Sequence, residues 1–287
     1  PGALLQLLKP ITWFPPMWAF LCGWISAGPG TDLSGWSLLA GVILTGPLVC
    51  GASQIVNDWY DQDVDALNEP DRPIPSGRVP GKTAFWFAVV WTVIAQTWAI
   101  LLGPWVAAAT GLGLVLAWAY SAPPLRLKMN GWWGNSAVAI SYEGLAWITG
   151  AAIVIGGDLP AEPILLIALL YSIGAHGIMT LNDFKSIEGD LTMGIRSLPA
   201  QLGPTRAARV ACLFMLLPQL IVILLLVRWG LMPSALAVSL MVVAQLLAMR
   251  KLLRDPKQFA PWYNATGVSL YVLGMMAVAI GLGGWLM

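Results

Sequence analysis

Apolar stretches about as long as a membrane span recur along this chain and exclude an ordinary soluble fold. A helix needs roughly 20 predominantly apolar residues to cross a bilayer. Only 10% of the 287 residues are charged and 58% are hydrophobic, whereas a soluble domain carries about 25% charged residues. The sequence therefore predicts an all-α integral membrane protein with about nine transmembrane helices in a lipid bilayer. The predicted spans are Ile11–Ala27, Trp36–Val56, Thr83–Gly103, Pro104–Tyr120, Asn135–Gly156, Pro163–Leu181, Ala207–Val227, Leu231–Arg250 and Thr266–Met287.

The basic residues lie almost entirely on one side of these spans. Of the 15 lysine and arginine residues, all except Arg228 fall in the same set of connecting segments. The positive-inside rule assigns that side to the cytoplasm, which predicts a cytoplasmic N-terminus and an outer C-terminus. The formal net charge is +1, so no basic field indicates a nucleic-acid partner.

Two parts of the chain share a pattern of polar residues and prolines. Each copy runs from an apolar helix through Asn-Asp and an acidic stretch to arginine, proline and a basic residue. The pattern predicts a single transmembrane domain over residues 1–287, with two four-helix repeats at roughly 11–120 and 135–250 and one additional helix around a central cavity. The matching pairs are Arg72 with Arg196, Pro75 with Pro199, Pro80 with Pro204, Lys82 with Arg206 and Ala84 with Ala208.

The first acidic segment follows the second predicted span. Asp58, Asp61 and Asp65 would share one helix face if that helix continued through them. Oxygen ligands at this density suit Mg²⁺, and neither histidine nor cysteine lies nearby to favour zinc. We therefore predict a metal site formed by Asn57 and these three carboxylates, with Arg72 close enough in sequence to bind phosphate oxygens. The alternative is a solvated cytoplasmic loop.

A second acidic segment lies at the matching place in the second repeat. Its Asp183, Glu188 and Asp190 follow Asn182, and Lys185 stands among them. Two acidic clusters at matching places suggest two metal sites acting on one polyanion. We predict that Asn182 and the three acidic residues bind metal and that Lys185 contacts the substrate.

A third polar segment follows the fourth predicted span, where two consecutive prolines end the helix. It places Tyr120, Arg126 and Lys128 near the cytoplasmic surface. Together with Arg196, the two basic residues are candidates to bind a phosphorylated substrate. Topological anchoring is the alternative for these cations.

These segments resemble motifs of the UbiA-type membrane prenyltransferases. Asn57-Asp58-x-x-Asp61-x-x-x-Asp65 is similar to that family's first Asp-rich motif, and the segment Asn182 to Asp190 is similar to its second. Tyr120 to Lys128 resembles the family's Tyr-Ser-x-Pro…Lys loop. Further likeness points to the branch that contains the chlorophyll and bacteriochlorophyll synthases. It is carried by the segments Asn68 to Gly77, Leu125 to Trp132, Ser141 to Leu145, Gly174 to Gly177 and Ser197 to Pro199.

Two positions depart from the family pattern. Most members have aspartate where Ser186 stands, so one expected ligand of the second metal is absent. Leu191 replaces the arginine that usually follows the Gly-Asp pair, which removes an expected phosphate contact.

The resemblance implies a magnesium-dependent prenyltransferase of a bacterial inner or intracytoplasmic membrane, with its active site on the cytoplasmic side. It implies transfer of a geranylgeranyl or phytyl chain from its diphosphate to the propionate of bacteriochlorophyllide a, with Mg²⁺ as cofactor and chlorophyllide as an alternative acceptor. A propionate is already ionised at neutral pH, so the reaction needs no general base. Another aromatic acceptor is the alternative within the family. The residues implied to act in catalysis are Asp58, Asp61, Asp65, Asp183, Asp190, Tyr120 and Lys128.

Two further polar residues fall inside predicted spans. Glu143 lies in the fifth, and His176, the only histidine, lies seven residues before Asp183 in the sixth. An ionisable residue within a membrane is a functional candidate by default, so both are predicted to bind the acceptor. A structural hydrogen bond between helices is the alternative for each.

Three other classes of membrane protein fit the sequence less well. A transporter would place its acidic groups near the middle of the membrane, whereas both clusters here lie at one face. A pigment-binding antenna protein usually needs several histidine ligands. A CDP-alcohol phosphotransferase carries a DGxxAR sequence, which this chain does not contain.

Overall fold

The computed structural model describes residues 2–28 and 35–285, and their regular structure is helical. The only β interaction within these ranges is an isolated bridge between Asn130 and Arg196. In chain order the helices are α1 (Gly2–Leu8), α2 (Phe14–Ser26), α3 (Gly35–Tyr60), α4 (Gln62–Asn68), α5 (Gly81–Leu102), α6 (Pro104–Ser121), α7 (Gly131–Val154), α8 (Glu162–Lys185), α9 (Ile187–Thr192), α10 (Leu198–Leu202), α11 (Pro204–Arg228), α12 (Met232–Leu252) and α13 (Pro256–Trp285).

Eight helices in the described part of the chain are long and apolar enough to cross a membrane, namely α3, α5 to α8 and α11 to α13. The expectation of an all-helical membrane protein is therefore confirmed, but the count of nine spans is not. The first expected span, Ile11–Ala27, forms only the 13-residue helix α2. A helix of that length is about 20 Å long, which is shorter than the roughly 30 Å hydrocarbon core.

The last helix begins ten residues earlier than the predicted span at Thr266. Pro256 occupies its first turn, where a missing backbone N–H costs nothing. The Asp255 side chain caps this end by accepting a hydrogen bond from the Gln258 backbone at 3.2 Å. Lys257, which the predicted spans leave in a connecting segment, therefore lies in the first turn of α13.

Two of the long helices contain a π-helical segment. Leu44–Cys50 widens α3, and Ile140–Leu145 widens α7. Pro47 lies inside the first segment and cannot donate a backbone hydrogen bond. Because π segments change the direction in which side chains project, both alter which residues reach the interior of the molecule.

Close helix crossings hold α2 against α7 and α13. A Cβ atom on Gly23 would overlap the Trp147 carbonyl, and one on Gly150 would overlap the Phe20 carbonyl. Glycine therefore allows the α2 and α7 backbones to touch, as small residues commonly do between membrane helices. The contact between α2 and α13 includes a 3.0 Å hydrogen bond from Trp18 Nε1 to the Val272 carbonyl.

A central cavity of about 430 Å³ lies between the helices. It is lined by residues of α2, α3, α6, α7 and α8, and by the segment that precedes α2. Both π-helical segments contribute side chains to its wall. One end of the cavity is lined by Asn57, Tyr120 and Asn182, so it opens beside both acidic motifs.

Candidate active site

The first acidic motif lies where the helix is interrupted. α3 ends at Tyr60, Asp61 leaves the helical conformation with φ −100° and ψ 5°, and α4 begins at Gln62. The helix is therefore not continuous through Asp58, Asp61 and Asp65, as a shared helix face for the three carboxylates would require. The break separates the carboxylates into two groups with different cationic partners.

Asp58 and Asp65 share the guanidinium of Arg72. Arg72 Nη1 lies 2.8 Å from Asp65 Oδ2 and 3.5 Å from Asp58 Oδ1, and Lys9 Nζ lies 2.5 Å from the same Asp58 oxygen. Arg72 also makes two hydrogen bonds to Glu69. Burial raises the pKa of Asp65 against the opposing effect of Arg72, whereas the Arg72 hydrogen bond lowers the pKa of the exposed Glu69. Two carboxylates are thus fixed by one cation from the loop after α4.

Asp61 faces a different loop. Lys128 Nζ, from the segment between α6 and α7, lies 2.5 Å from Asp61 Oδ1, and Asn57 Nδ2 donates to Asp61 Oδ2 at 3.0 Å. Asn57 also lies 3.4 Å from the Ser121 hydroxyl. Burial lowers the pKa of Lys128, and the attraction of Asp61 opposes that shift. The predicted loop lysine and the first motif therefore meet at one point.

The second motif is held by neutral groups. Asn135 Nδ2 donates to Asp183 Oδ2 at 3.1 Å, Ser186 Oγ donates to Asp190 Oδ2 at 3.0 Å, and Asn264 Nδ2 donates to Asn182 Oδ1 at 3.0 Å. None of the ion pairs among the described residues involves this motif. Ser186, at the position of the absent aspartate, orients Asp190. The remaining charged side chains, Lys185 and Glu188, are exposed.

The end of α6 and the loop that follows it lie between the two motifs. Tyr120 lines the cavity and lies within electrostatic range of Asp61, Asp183 and Asp190. Arg196 is exposed, but its backbone accepts from Gly131 N at 2.8 Å and donates to the Met129 carbonyl at 3.0 Å. The two acidic motifs therefore face each other across Tyr120.

Arg126 is half-buried in the same loop, and its Nε has no hydrogen-bond partner among the described residues. A guanidinium with a free donor beside Lys128 is suited to an anion. The Leu191 side chain, at the position of the missing family arginine, is exposed. Arg126 therefore supplies an available donor where Leu191 cannot.

The donor set fits a hard divalent cation. Every candidate metal ligand presents oxygen, which Mg²⁺ prefers. The ammonium groups of Lys9 and Lys128 lie 2.5 Å from Asp58 and Asp61, so both carboxylates already bind a positive charge. Within the described residues no group of three or more His, Cys, Asp or Glu side chains is already gathered for a metal. The ligands would therefore be shared with the cations and a phosphorylated substrate.

Two predicted acceptor-binding residues have different surroundings. Glu143 lines the central cavity, whereas His176 is absent from its wall, although its helix neighbours Ala175 and Ile178 contribute to it. The His176 ring instead stacks on Phe214 at 4.5 Å, and its Nδ1 lies 3.2 Å from the Ser136 hydroxyl. The geometry of His176 favours helix packing, so its role towards the acceptor stays a prediction.

Sequence reasoning did not assign three residues that hold the acidic motifs. In the sequence, Lys9 is one of the basic residues on the predicted cytoplasmic side, Asn135 begins the fifth predicted span, and Asn264 lies outside every predicted motif. Lys9 pairs with Asp58, and the two asparagines hydrogen-bond the second motif. The signal available in the sequence was a polar residue at or just before the start of an apolar predicted span.

Known proteins resemble this chain over almost its full length. A model of the UbiA prenyltransferase family matches residues 13–270. The chain is 55% identical over 287 residues to the bacteriochlorophyll synthase 33 kDa chain of Cereibacter sphaeroides, covering 99% of this chain and 94% of that one. It is 37% identical to the chloroplastic chlorophyll synthase of Avena sativa, covering 96% and 75%. A solved UbiA homolog from Archaeoglobus fulgidus bound to DMAPP and Mg²⁺ shares the fold, with a TM-score of 0.72 at 20% identity over 96% of this chain and 98% of that one.

Proposed function

The chain belongs to the UbiA prenyltransferase family, and from this premise we propose that it makes the ester bond of a bacteriochlorophyll. The acceptor is the propionate of bacteriochlorophyllide a, and the donor is geranylgeranyl or phytyl diphosphate. One observation carries the proposal beyond family membership, namely a largely apolar cavity that is lined at one end by Asn57 and Asn182, the first residues of the two acidic motifs. The 55% identity to a bacteriochlorophyll synthase over nearly the whole chain supports this choice of acceptor.

The reaction requires stabilisation of a leaving group rather than a base. A propionate oxygen attacks C1 of the prenyl chain, the bond from C1 to the diphosphate oxygen breaks, and its electron pair leaves with diphosphate. In this proposal Lys128, Arg72 and Arg126 bind the diphosphate oxygens as their charge increases, which the ion pairs of the first two and the unpaired Nε of Arg126 support. The apolar wall of the cavity keeps water away from the electron-deficient allylic carbon.

Mg²⁺ is proposed as the cofactor because of the all-oxygen donor set. When bound, it would offset the charge of the diphosphate. Asn135 and Ser186 orient two of the candidate ligands by hydrogen bonds, so they act as positioning residues. The residues that would hold metal are Asn57, Asp58, Asp61, Asp65, Asn182, Asp183, Glu188 and Asp190.

A two-by-two assay tests the function. Purified protein is incubated with bacteriochlorophyllide a or chlorophyllide a, each paired with geranylgeranyl or phytyl diphosphate, with Mg²⁺ or with a chelator. We expect the ester of bacteriochlorophyllide, formed only with Mg²⁺. Exclusive esterification of chlorophyllide would instead identify a chlorophyll synthase. Absence of ester from all four pairs, or an undiminished rate with chelator, would contradict the proposal.

We also propose that both acidic motifs face the cytoplasm, as the distribution of basic residues indicates. The native cysteines at positions 22, 50 and 212 are buried, so single introduced cysteines can be labelled against a low background. We expect Gln62→Cys and Thr192→Cys to react with an impermeant reagent from the cytoplasmic side. The exposed control Arg228→Cys should react only from the other side. Labelling of positions 62 and 192 from opposite sides would exclude this topology.

The two predicted repeats remain part of the proposal. Lys9, which precedes the first predicted span, holds Asp58, and Asn135, at the start of the fifth, holds Asp183. Partners from corresponding places therefore support a repeat over roughly 11–120 and 135–250.

A further inference from the structure

Glu143 lies in the wall of the central cavity within the π-helical segment of α7. Its residue is 7% exposed, and its Oε2 has no hydrogen-bond partner among the described residues. None of the described ion pairs includes it. A carboxylate without a counter-cation is costly inside a membrane, so the group is held as the neutral acid. A neutral carboxyl group can donate one hydrogen bond.

The neighbouring residue shows that this part of the wall satisfies polar groups where it can. The Tyr142 hydroxyl is buried in the same π-helical segment and lies within hydrogen-bond distance of Cys50, Ser53 and Gln54, at 3.2, 3.3 and 3.1 Å. Protein groups thus surround the phenol, whereas an oxygen of the adjacent carboxyl remains unpaired. The Nε2 atom of His176 is also unpaired but lies outside the cavity wall, whereas Glu143 lines the cavity, so a ligand bound in the cavity can complete the site at Glu143.

The depth of Glu143 restricts what this ligand is. On α7 it follows Asn135, the residue bonded to Asp183, by eight positions. At 1.5 Å per residue the two positions are about 12 Å apart along the axis. A diphosphate at the acidic motifs therefore does not reach Glu143, and a prenyl chain carries no hydrogen-bond acceptor at that distance from its diphosphate. A ring system with polar substituents does carry hydrogen-bond acceptors at that distance.

We propose that Glu143 donates a hydrogen bond to a carbonyl oxygen at the edge of the acceptor macrocycle. This proposal rests on the proposed function, since a magnesium tetrapyrrole with ring carbonyl groups is the acceptor named there. The macrocycle lies in the cavity with its propionate towards the acidic motifs and a carbonyl substituent towards Glu143. Glu143 is thereby a residue that binds and selects the acceptor, and it has no part in releasing diphosphate.

The test measures acceptor binding apart from turnover. Wild type, Glu143→Leu and Glu143→Gln are loaded with bacteriochlorophyllide a without prenyl diphosphate, and the carbonyl stretching bands of the bound pigment are recorded by resonance Raman spectroscopy. We expect one band at lowered frequency in wild type and its return to the unbonded frequency in E143L. Steady-state assays should show the KM for bacteriochlorophyllide raised about tenfold in E143L, as loss of one hydrogen bond implies. The KM for geranylgeranyl diphosphate should be unchanged.

The amide of E143Q still donates, so we expect a smaller band shift and a smaller rise in KM. This variant also tests the proposed hydrogen bond from Glu143 if E143L does not fold. Glu162→Leu is the matched control, because Glu162 is exposed at the start of α8 and should leave the bands and both KM values unchanged. A lowered band that persists in E143L, or an unchanged acceptor KM with a lowered melting temperature, would overturn the proposal. Wild type that binds the pigment with a lowered band but forms no ester would overturn the proposed function and leave the Glu143 contact standing.

Discussion

Asp61→Asn is expected to lower kcat/KM for esterification about a thousandfold, while the protein stays folded in detergent. The amide retains an oxygen that can accept a hydrogen bond from Lys128, whose Nζ lies 2.5 Å from Asp61 Oδ1 in the wild type. The negative charge is lost, however, and with it a ligand suited to a divalent cation beside the diphosphate. Asp61 is the most accessible carboxylate of the three, at 22% of its side chain, so its neutralisation disturbs the fold least.

The matched control is Asp63→Asn, two residues along the same segment. Asp63 is exposed and takes part in none of the described ion pairs, so turnover should stay within about twofold of wild type. Asp58→Ala should also abolish turnover, although removal of the partner of Lys9 and Arg72 will cost more stability. Turnover by D61N within tenfold of wild type would remove Asp61 from the metal site.

Gly150→Leu is expected to be the most damaging substitution away from the acidic motifs. A side chain there meets the Phe20 carbonyl, a backbone atom that cannot turn aside. The α2 and α7 helices would have to separate, and such overpacking typically costs about 3 kcal/mol. We expect a large fall in the yield of monodisperse protein and a lowered melting temperature in detergent.

Gly35→Ala provides the comparison, because a Cβ atom on Gly35 meets nothing within 4 Å. That variant should purify and melt like wild type. If G150L were equally well behaved, the close approach of α2 and α7 would have to be abandoned as a requirement of the fold.

The order of helices and the position of both acidic motifs could be predicted from sequence because the signals are local. Hydropathy locates a span within its own residues, and Asn57 to Asp65 contrasts strongly with the apolar helix before it. The shortness of α2 could not be predicted, since Pro10 to Phe14 are apolar enough to extend a span in a hydropathy window. In the structure, a short 3₁₀ turn at Pro10–Thr12 precedes the helix instead.

The partners of the acidic groups could not be predicted because they depend on how distant helices pack. Lys9 and Asp58 are 49 residues apart, and Asn182 and Asn264 are 82 residues apart. A single sequence does not show which residues so far apart along the chain come together in the folded structure. The same limit applies to Glu143, since only the packing around α7 shows that Tyr142 is satisfied and Glu143 is not.

The contact between α2, near the start of the described chain, and α13, near its end, has a consequence for synthesis of the protein. Trp18 and Val272 are separated by 254 residues, yet they share a hydrogen bond. Because α13 also supplies Asn264 to the second motif, the arrangement of the two motifs is incomplete until α13 has entered the bilayer. A ribosome-bound chain that ends before α13 therefore leaves α2 without one of its neighbours and exposes that flank to lipid. Assembly of the working enzyme thus waits for α13 to leave the ribosome.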